Sequence, residues 1–384
     1  MPMEQHAIQR REVLANVKRV VIKVGSAVLT GEKGLDLRVV SRLVDQIACL
    51  HDQGIEVVLV SSGAVASGRA RLKEQRLDAD GLPARQALSA IGQSRLMREY
   101  DEAFRRFGKV TAQILLTRDD FRSRSRFLNA LHTVRQLLDW SVIPIINEND
   151  TISVQELNFG DNDFLASLVL NLVDAELFIN LTTAGGVCSA NPLQDPTATV
   201  MPVIENIADL DIVGLCAGRT SVGSGGMQSK LMAARRAAQI GAATIIVAGR
   251  EPHALERVFK GEALGTFIPA EDKTVPARKF WMAYHVEPEG GLALDAGAVK
   301  AVADRGKSLL PAGIRRVEGE FEAGALVRLL GPDGETFGVG LSNYDSEELA
   351  RIIGRQTCDI EGLLGSCPYV EAVHRDNLLL DPAL

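Results

Sequence analysis

Two short clusters of amides and carboxylates bracket a polar stretch of the chain. Asn147-Glu148-Asn149-Asp150 follows one apolar run, and Asp161-Asn162-Asp163 precedes another. Side chains of these types hold a small zwitterion or a metal-bound phosphate, and they serve equally well as two solvated turns. Three other stretches have phosphate chemistry open to them. Lys23 lies near the end of "RVVIKV" (19–24) and precedes Gly25-Ser26, small residues that let a polyphosphate approach the backbone. A lysine at a strand end is otherwise a solvated charge. "SSGAVASG" (61–68) puts Ser61, Ser62 and Gly63 at a helix start, where N–H groups favour an anion or simply receive a cap. "GSGGMQSK" (223–230) is a glycine-rich loop entering a helix with Lys230 one turn inside, read as a phosphate nest or as a plain turn. It is not a Walker A loop, because Leu231 stands where that motif needs Ser or Thr.

Other motif-like stretches carry less. "HRDN" (374–377) lacks the companion motifs of a protein-kinase catalytic loop and reads as a surface tail. "RSRSR" (122–126), beside Asp119 and Asp120, reads as a solvated helix start, and the six histidines are too scattered for a metal site or a catalytic triad.

The elements that must position these residues alternate. Strands are predicted at 19–24, 55–60, 110–116, 142–146, 176–181 and 243–248, and helices at 39–50, from 64, and at 84–107, 124–140, 164–173 and 227–240. Near-continuous apolar strands separated by helices predict an α/β fold whose mainly parallel sheet is covered on both faces, with ligands at the carboxyl ends of the strands. After about Gly265 the pattern changes. "PAEDKTVPARK" (269–279) reads as a linker, and beyond it come a short helix (296–305) and glycine-punctuated strands in 315–321, 325–331 and 335–341.

Composition narrows the class. A chain of 384 residues exceeds one ordinary core, which predicts two domains. No apolar run reaches the length of a membrane span, and the polar start (Glu4, Arg10, Arg11, Glu12) has no signal-peptide core, so a cytoplasmic protein is expected. Its five cysteines form no C-x-x-C pair and are expected as free thiols. The net charge of −7 falls entirely in residues 289–384, with 9 Lys/Arg against 16 Asp/Glu, which argues against a nucleic-acid footprint there.

Taken in order, "VIKVGSAVLT", "VSSGAVASG", "GQSRLM", "LLTRDDF", "RFLNA", "PIINENDT", "GDND" and "GSGGMQSKL" resemble the amino-acid kinase family over about residues 18–250, in the branch that phosphorylates free glutamate. "LDAGAVKAVADRGKSLLPAGIRRVEGEFEAGALV" resembles a PUA domain. The resemblance implies a three-layer αβα sandwich over 13–268, a linker over 269–288 and a small mainly-β PUA domain over 289–367. It implies that Ser62, Asp150 and Asn162 hold L-glutamate. It assigns ATP to Lys23, Thr182, Thr183 and the run Ser224, Gly225, Gly226, Met227, Gln228, Ser229 and Lys230. Lys23 and Lys230 would stabilise the transferring phosphoryl group, with Asp163 orienting both lysines and Mg²⁺ bridging the phosphates; no protein metal site is expected. It further implies a homodimer or homotetramer, feedback inhibition by proline, and a glutamyl-phosphate reductase as pathway partner.

Two departures stand out. Thr183 and the stretch Cys188–Leu193 replace two acids and an aromatic usual at the nucleoside end, and Ala325 stands where the PUA segment commonly has Asp. The alternatives are a kinase for another acid substrate of the same superfamily, a degenerate kinase acting as a regulator, and an RNA-binding protein, the last disfavoured by the acidic C-terminal charge.

Overall fold

The computed structural model describes residues 2–32, 34–72, 81–152, 162–192, 195–216, 226–271, 288–355, 357–365 and 369–380. The chain divides into two compact units, Met1–Thr274 and Val275–Leu384.

In the first unit, β-branched runs become strands β1 (Arg19–Val24), the small hairpin β2 (Thr30–Gly31) and β3 (Gly34–Leu35), β4 (Glu56–Ser61), β5 (Thr111–Leu116), β6 (Ile143–Glu148), β7 (Leu177–Thr182), β8 (Ala243–Ala248) and β9 (Thr266–Ile268). Seven of them form one sheet in the order β5-β6-β4-β1-β7-β8-β9, parallel throughout except for the antiparallel edge strand β9. The chain lays down β4 and then β6 on one side of β1, and returns to place β7 on the other side. The topological switch therefore falls at β1, where open α/β sheets collect ligands at the carboxyl edge.

Side-chain alternation gives the sheet two chemically different faces. Val20, Ile22 and Val24 of β1, with Val57 and Leu59 of β4 and Leu177, Ile179 and Leu181 of β7, build one apolar core with Leu43, Ile47, Tyr100 and Phe104. The last four come from the helices Leu37–Asp52 and Leu82–Arg105. Asp36 caps the first of these helices by accepting from the amides of Arg38 and Val39. The intervening residues point the other way, beneath the helices Asn162–Val173 and Met227–Gln239. Lys23 sits among them, in register with Val60 and Asn180.

The helices Ala64–Leu72 and Leu82–Arg105 touch backbone to backbone. A Cβ on Gly92 would lie 1.7 Å from the carbonyl oxygen of Ala64, and one on Gly68 would lie 1.9 Å from that of Leu88. Both glycines of these two motifs are therefore explained by packing, not by ligand contact.

The second unit is a five-stranded sheet, in the order β11-β10-β12-β13-β14, built from β10 (Gly290–Leu294), β11 (Ile314–Glu318), β12 (Leu326–Leu330), β13 (Thr336–Leu341) and β14 (Leu378–Leu380). Its own core includes Leu292, Val327, Leu329, Tyr344 and Ile352. Here the sequence reading needs correction. "HRDN" lies at the surface but is not a tail: Arg375–Asn377 forms a 3₁₀ turn that leads into the buried Leu378 and Leu379, where β14 pairs antiparallel with β13. The helix Pro2–Asn16 and the strands β9, β10 and β14 were also not anticipated. Most of the expected linker lies outside the described residues. No helix among the described residues is long and apolar enough to cross a membrane.

Candidate active site

Strands β1, β4, β6 and β7 all end at one edge of the sheet, and a cavity of about 380 Å³ opens there. Lys23, Ser62, Asp150, Asn162, Thr182, Thr183 and Lys230 line it, so residues that are up to about 200 positions apart in sequence converge on one space.

Its floor is a buried ion triad. Asp163, in the first turn of the helix Asn162–Val173, is fully buried. Its Oδ1 lies 2.5 Å from the Lys23 ammonium and its Oδ2 lies 2.9 Å from that of Lys230. Lys23 and Lys230 are themselves only 3% and 5% exposed, so neither is the solvated charge that its position in sequence would allow. Asn180 of β7 donates to Oδ1 at 2.8 Å, and the Ser229 hydroxyl approaches Oδ2 at 2.9 Å. Burial pushes the Asp163 carboxyl up, but the two ammoniums outweigh it and hold the group ionised well below the usual carboxylate range. One carboxylate between two lysines leaves a surplus positive charge at the floor of the cavity. Because a buried pair is costly to desolvate, such an arrangement points to an anion site more than to a stability device.

The two clusters of amides and carboxylates meet directly. Asn162 donates through Nδ2 to the Asn147 side chain at 2.9 Å, to the Ser62 hydroxyl at 2.7 Å and to the Ser61 carbonyl at 3.2 Å. Asn147 is fixed in turn by donating to Gln93 at 2.8 Å, while its carbonyl oxygen accepts from the Glu148 amide. The Asn162 side-chain oxygen is buried with no partner among the described residues, an acceptor left for a donor. Ser61 and Ser62 part company at the strand end. Ser61 turns into the opposite core, where its hydroxyl pairs with that of Tyr100 at 2.9 Å, so only Ser62 serves the cavity. The chain then passes through Gly63 at φ +107°, a left-handed conformation that an L side chain rarely adopts, and enters the helix Ala64–Leu72.

Asp150 lies on the other wall. Ser89 donates to its Oδ2 at 2.6 Å. Burial raises its carboxyl above the ordinary range, and the Ser89 hydrogen bond and the charge of Arg85 offset part of that rise.

At the remaining expected nucleotide positions, Gly226 caps the helix Met227–Gln239 and Met227 and Gln228 lie in its first turn. The Ser229 hydroxyl is turned to Asp163 and to the Gly226 carbonyl. Ser224, Gly225 and Asp161 lie outside the described residues. Reading the sequence missed Gln93, Ser89, Asn180, Arg69 and Arg85. Arg85 and Ser89 stand four apart on one helix, a spacing that puts both on one face. Among the described residues, no group of three His, Cys, Asp or Glu side chains is arranged to hold a metal. The lysines and hydroxyls of this lining suit phosphate oxygens, and a Mg²⁺ carried on such oxygens would be compatible with them.

Comparisons with known proteins agree with the fold. The amino acid kinase family profile matches residues 18–249, and the PUA domain profile matches residues 290–364. Glutamate 5-kinase of Maridesulfovibrio salexigens is 58% identical over 375 residues, 98% of this chain and 99% of that protein. Those of Oleidesulfovibrio alaskensis (58% identical) and Nitratidesulfovibrio vulgaris (53%) each match over 97% of this chain and 98% of their own length.

Proposed function

From the premise that this chain belongs to the amino acid kinase family, we propose a residue-level account of how it phosphorylates the side-chain carboxylate of L-glutamate with ATP, giving L-glutamyl 5-phosphate. The observation that carries the account is the pair of buried lysines held on Asp163 at the carboxyl edge of β1. The attacking group is already an anion, so the reaction needs no general base. A carboxylate oxygen bonds to the γ-phosphorus as the bond to the β–γ bridging oxygen breaks, and ADP leaves. Catalysis then consists of positioning and charge neutralisation. Lys23 and Lys230 neutralise the moving phosphoryl group, and Asp163 keeps the two ammoniums charged and aimed.

Asp150, Ser62 and Asn162 hold glutamate, with Asp150 taking its ammonium. Thr182, Thr183 and the run from Ser224 to Lys230 hold ATP, and Mg²⁺ arrives on its phosphates. In the same reading the enzyme is a cytoplasmic homo-oligomer inhibited by proline. Its labile acyl phosphate passes to a reductase, which makes this the first step of proline biosynthesis.

The test is ADP release, with hydroxylamine trapping of the acyl phosphate, using glutamate, aspartate and N-acetylglutamate. Glutamate is expected to be turned over fastest and to give a hydroxamate. Preference for another acid would overturn the substrate assignment. No turnover with any of them would favour a regulator built on a kinase fold.

A further inference from the structure

Two guanidiniums line the cavity and belong to none of the roles above. Arg69 stands in the last turn of the helix Ala64–Leu72, and Arg85 in the first turn of the helix Leu82–Arg105. Among the described residues no side-chain hydrogen bond or ion pair commits Arg85, yet its charge acts on Asp150 to lower that carboxyl. Ser89, one turn along the same helix face, grips Asp150 directly. Asp150 and Arg85 therefore line the same cavity as the lysine pair, and the helix face that carries Arg85 also carries the serine that holds Asp150.

We propose that Arg85 is a specificity-determining residue that binds the α-carboxylate of the amino-acid substrate. The inference rests on the glutamate reading and deepens it. An α-amino acid carries its ammonium and carboxylate on one carbon, which sets the nitrogen about 2.5 Å from the carboxyl carbon. Their two partners must then be neighbours. If Asp150 holds the ammonium, the cation beside it is the group placed to receive the carboxylate. Arg69 stands on the other helix, whereas Arg85 shares a helix face with Ser89, the residue that holds Asp150. The planar fork of a guanidinium suits a carboxylate, and a charge-assisted pair of this kind is the stronger class of hydrogen bond. With the α-carbon held by these two residues, the side-chain carboxylate is free to extend towards the lysines. A substrate with only one of the two α-substituents would be anchored at one point and left to swing.

Steady-state kinetics of Arg85→Gln and Arg85→Lys on glutamate and on 4-aminobutyrate, which lacks the α-carboxylate, test the assignment. For Arg85→Gln the glutamate KM is expected to rise about 10–100-fold, with kcat changed little and ATP KM unchanged. Arg85→Lys should recover part of the loss. Any activity on 4-aminobutyrate should be the same in all three proteins, so that discrimination between the two acids collapses. An unchanged glutamate KM in Arg85→Gln, an equal loss on both substrates, or a rise in ATP KM in its place would overturn the role of Arg85. A wild-type enzyme indifferent to glutamate would instead remove the reading on which it rests.

Discussion

Asp163 concentrates the chemistry at the scale of single residues. Replacing it by Asn would leave two ammoniums buried together without a counter-charge. The expected cost is roughly 3–5 kcal/mol of folding stability, the range seen when one partner of a buried pair is removed. Its folded carboxyl is held below the usual range, so its contribution is complete above the titration of an unfolded aspartate and is lost only in stronger acid. Urea unfolding should therefore show the same gap between wild type and Asp163→Asn at about pH 5 and about pH 8. Lys23→Ala and Lys230→Ala should each lower kcat by about 10²-fold or more, with smaller effects on glutamate KM. Near-normal kcat in both would reduce them to structural charges. Asp150 has the opposite sign. Burial raises its carboxyl, so it takes up a proton at a higher pH than an exposed aspartate does and then cannot pair with an ammonium. Glutamate KM should climb as pH falls through that raised value. Asp150→Asn should show a high KM that no longer responds to acid there.

Among the elements, the helix pair Ala64–Leu72 and Leu82–Arg105 is the most sensitive to a single methyl group. Gly92→Ala sets a carbon 1.7 Å from the Ala64 oxygen, so the helices must part. Overpacking of this kind costs roughly 1–3 kcal/mol or more. One helix begins beside Ser62 and the other carries Ser89, which holds Asp150, so glutamate KM should rise as the melting temperature falls. Gly362→Ala, in the helix Thr357–Leu364, meets nothing within 4 Å and should leave both quantities intact or raise stability slightly. The long elements of the kinase unit were legible in the sequence because β-branched runs and helical periodicity agree with their final burial. β9 and β14, of three residues each, were too short to show a period. The helix Pro2–Asn16 has no clear apolar stripe. At the site, the ordered motifs pointed to Lys23, Asp163 and Lys230. Nothing in sequence distinguishes Asn180 or Arg85 from their neighbours, because their roles come from register with Lys23 and from proximity to Asp150.

At the scale of the whole molecule, each unit closes its own core. Among the described residues, the apolar clusters of the first draw on Leu14 to Ile268, and that of the second on Leu292 to Leu378 with Leu380 packed against it. A chain ending at Thr274 is therefore expected to fold cooperatively and still form acyl phosphate, as read by urea unfolding and hydroxamate trapping. An insoluble or inactive product would show that the kinase unit depends on the residues that follow it.

The position of β1 also has a consequence on the ribosome. This strand lies inside the sheet, but its two neighbours are β4 and β7, and β7 is translated some 150 residues later. At about 5–20 residues per second, the β7 side of β1 waits roughly 8–30 s for its partner. Throughout that interval an unpaired edge made of "RVVIKV" is available to any other extended segment. Nascent-chain capture by chaperones should therefore peak on chains that have exposed β4 but not yet β7, and should fall once Thr182 has cleared the exit tunnel.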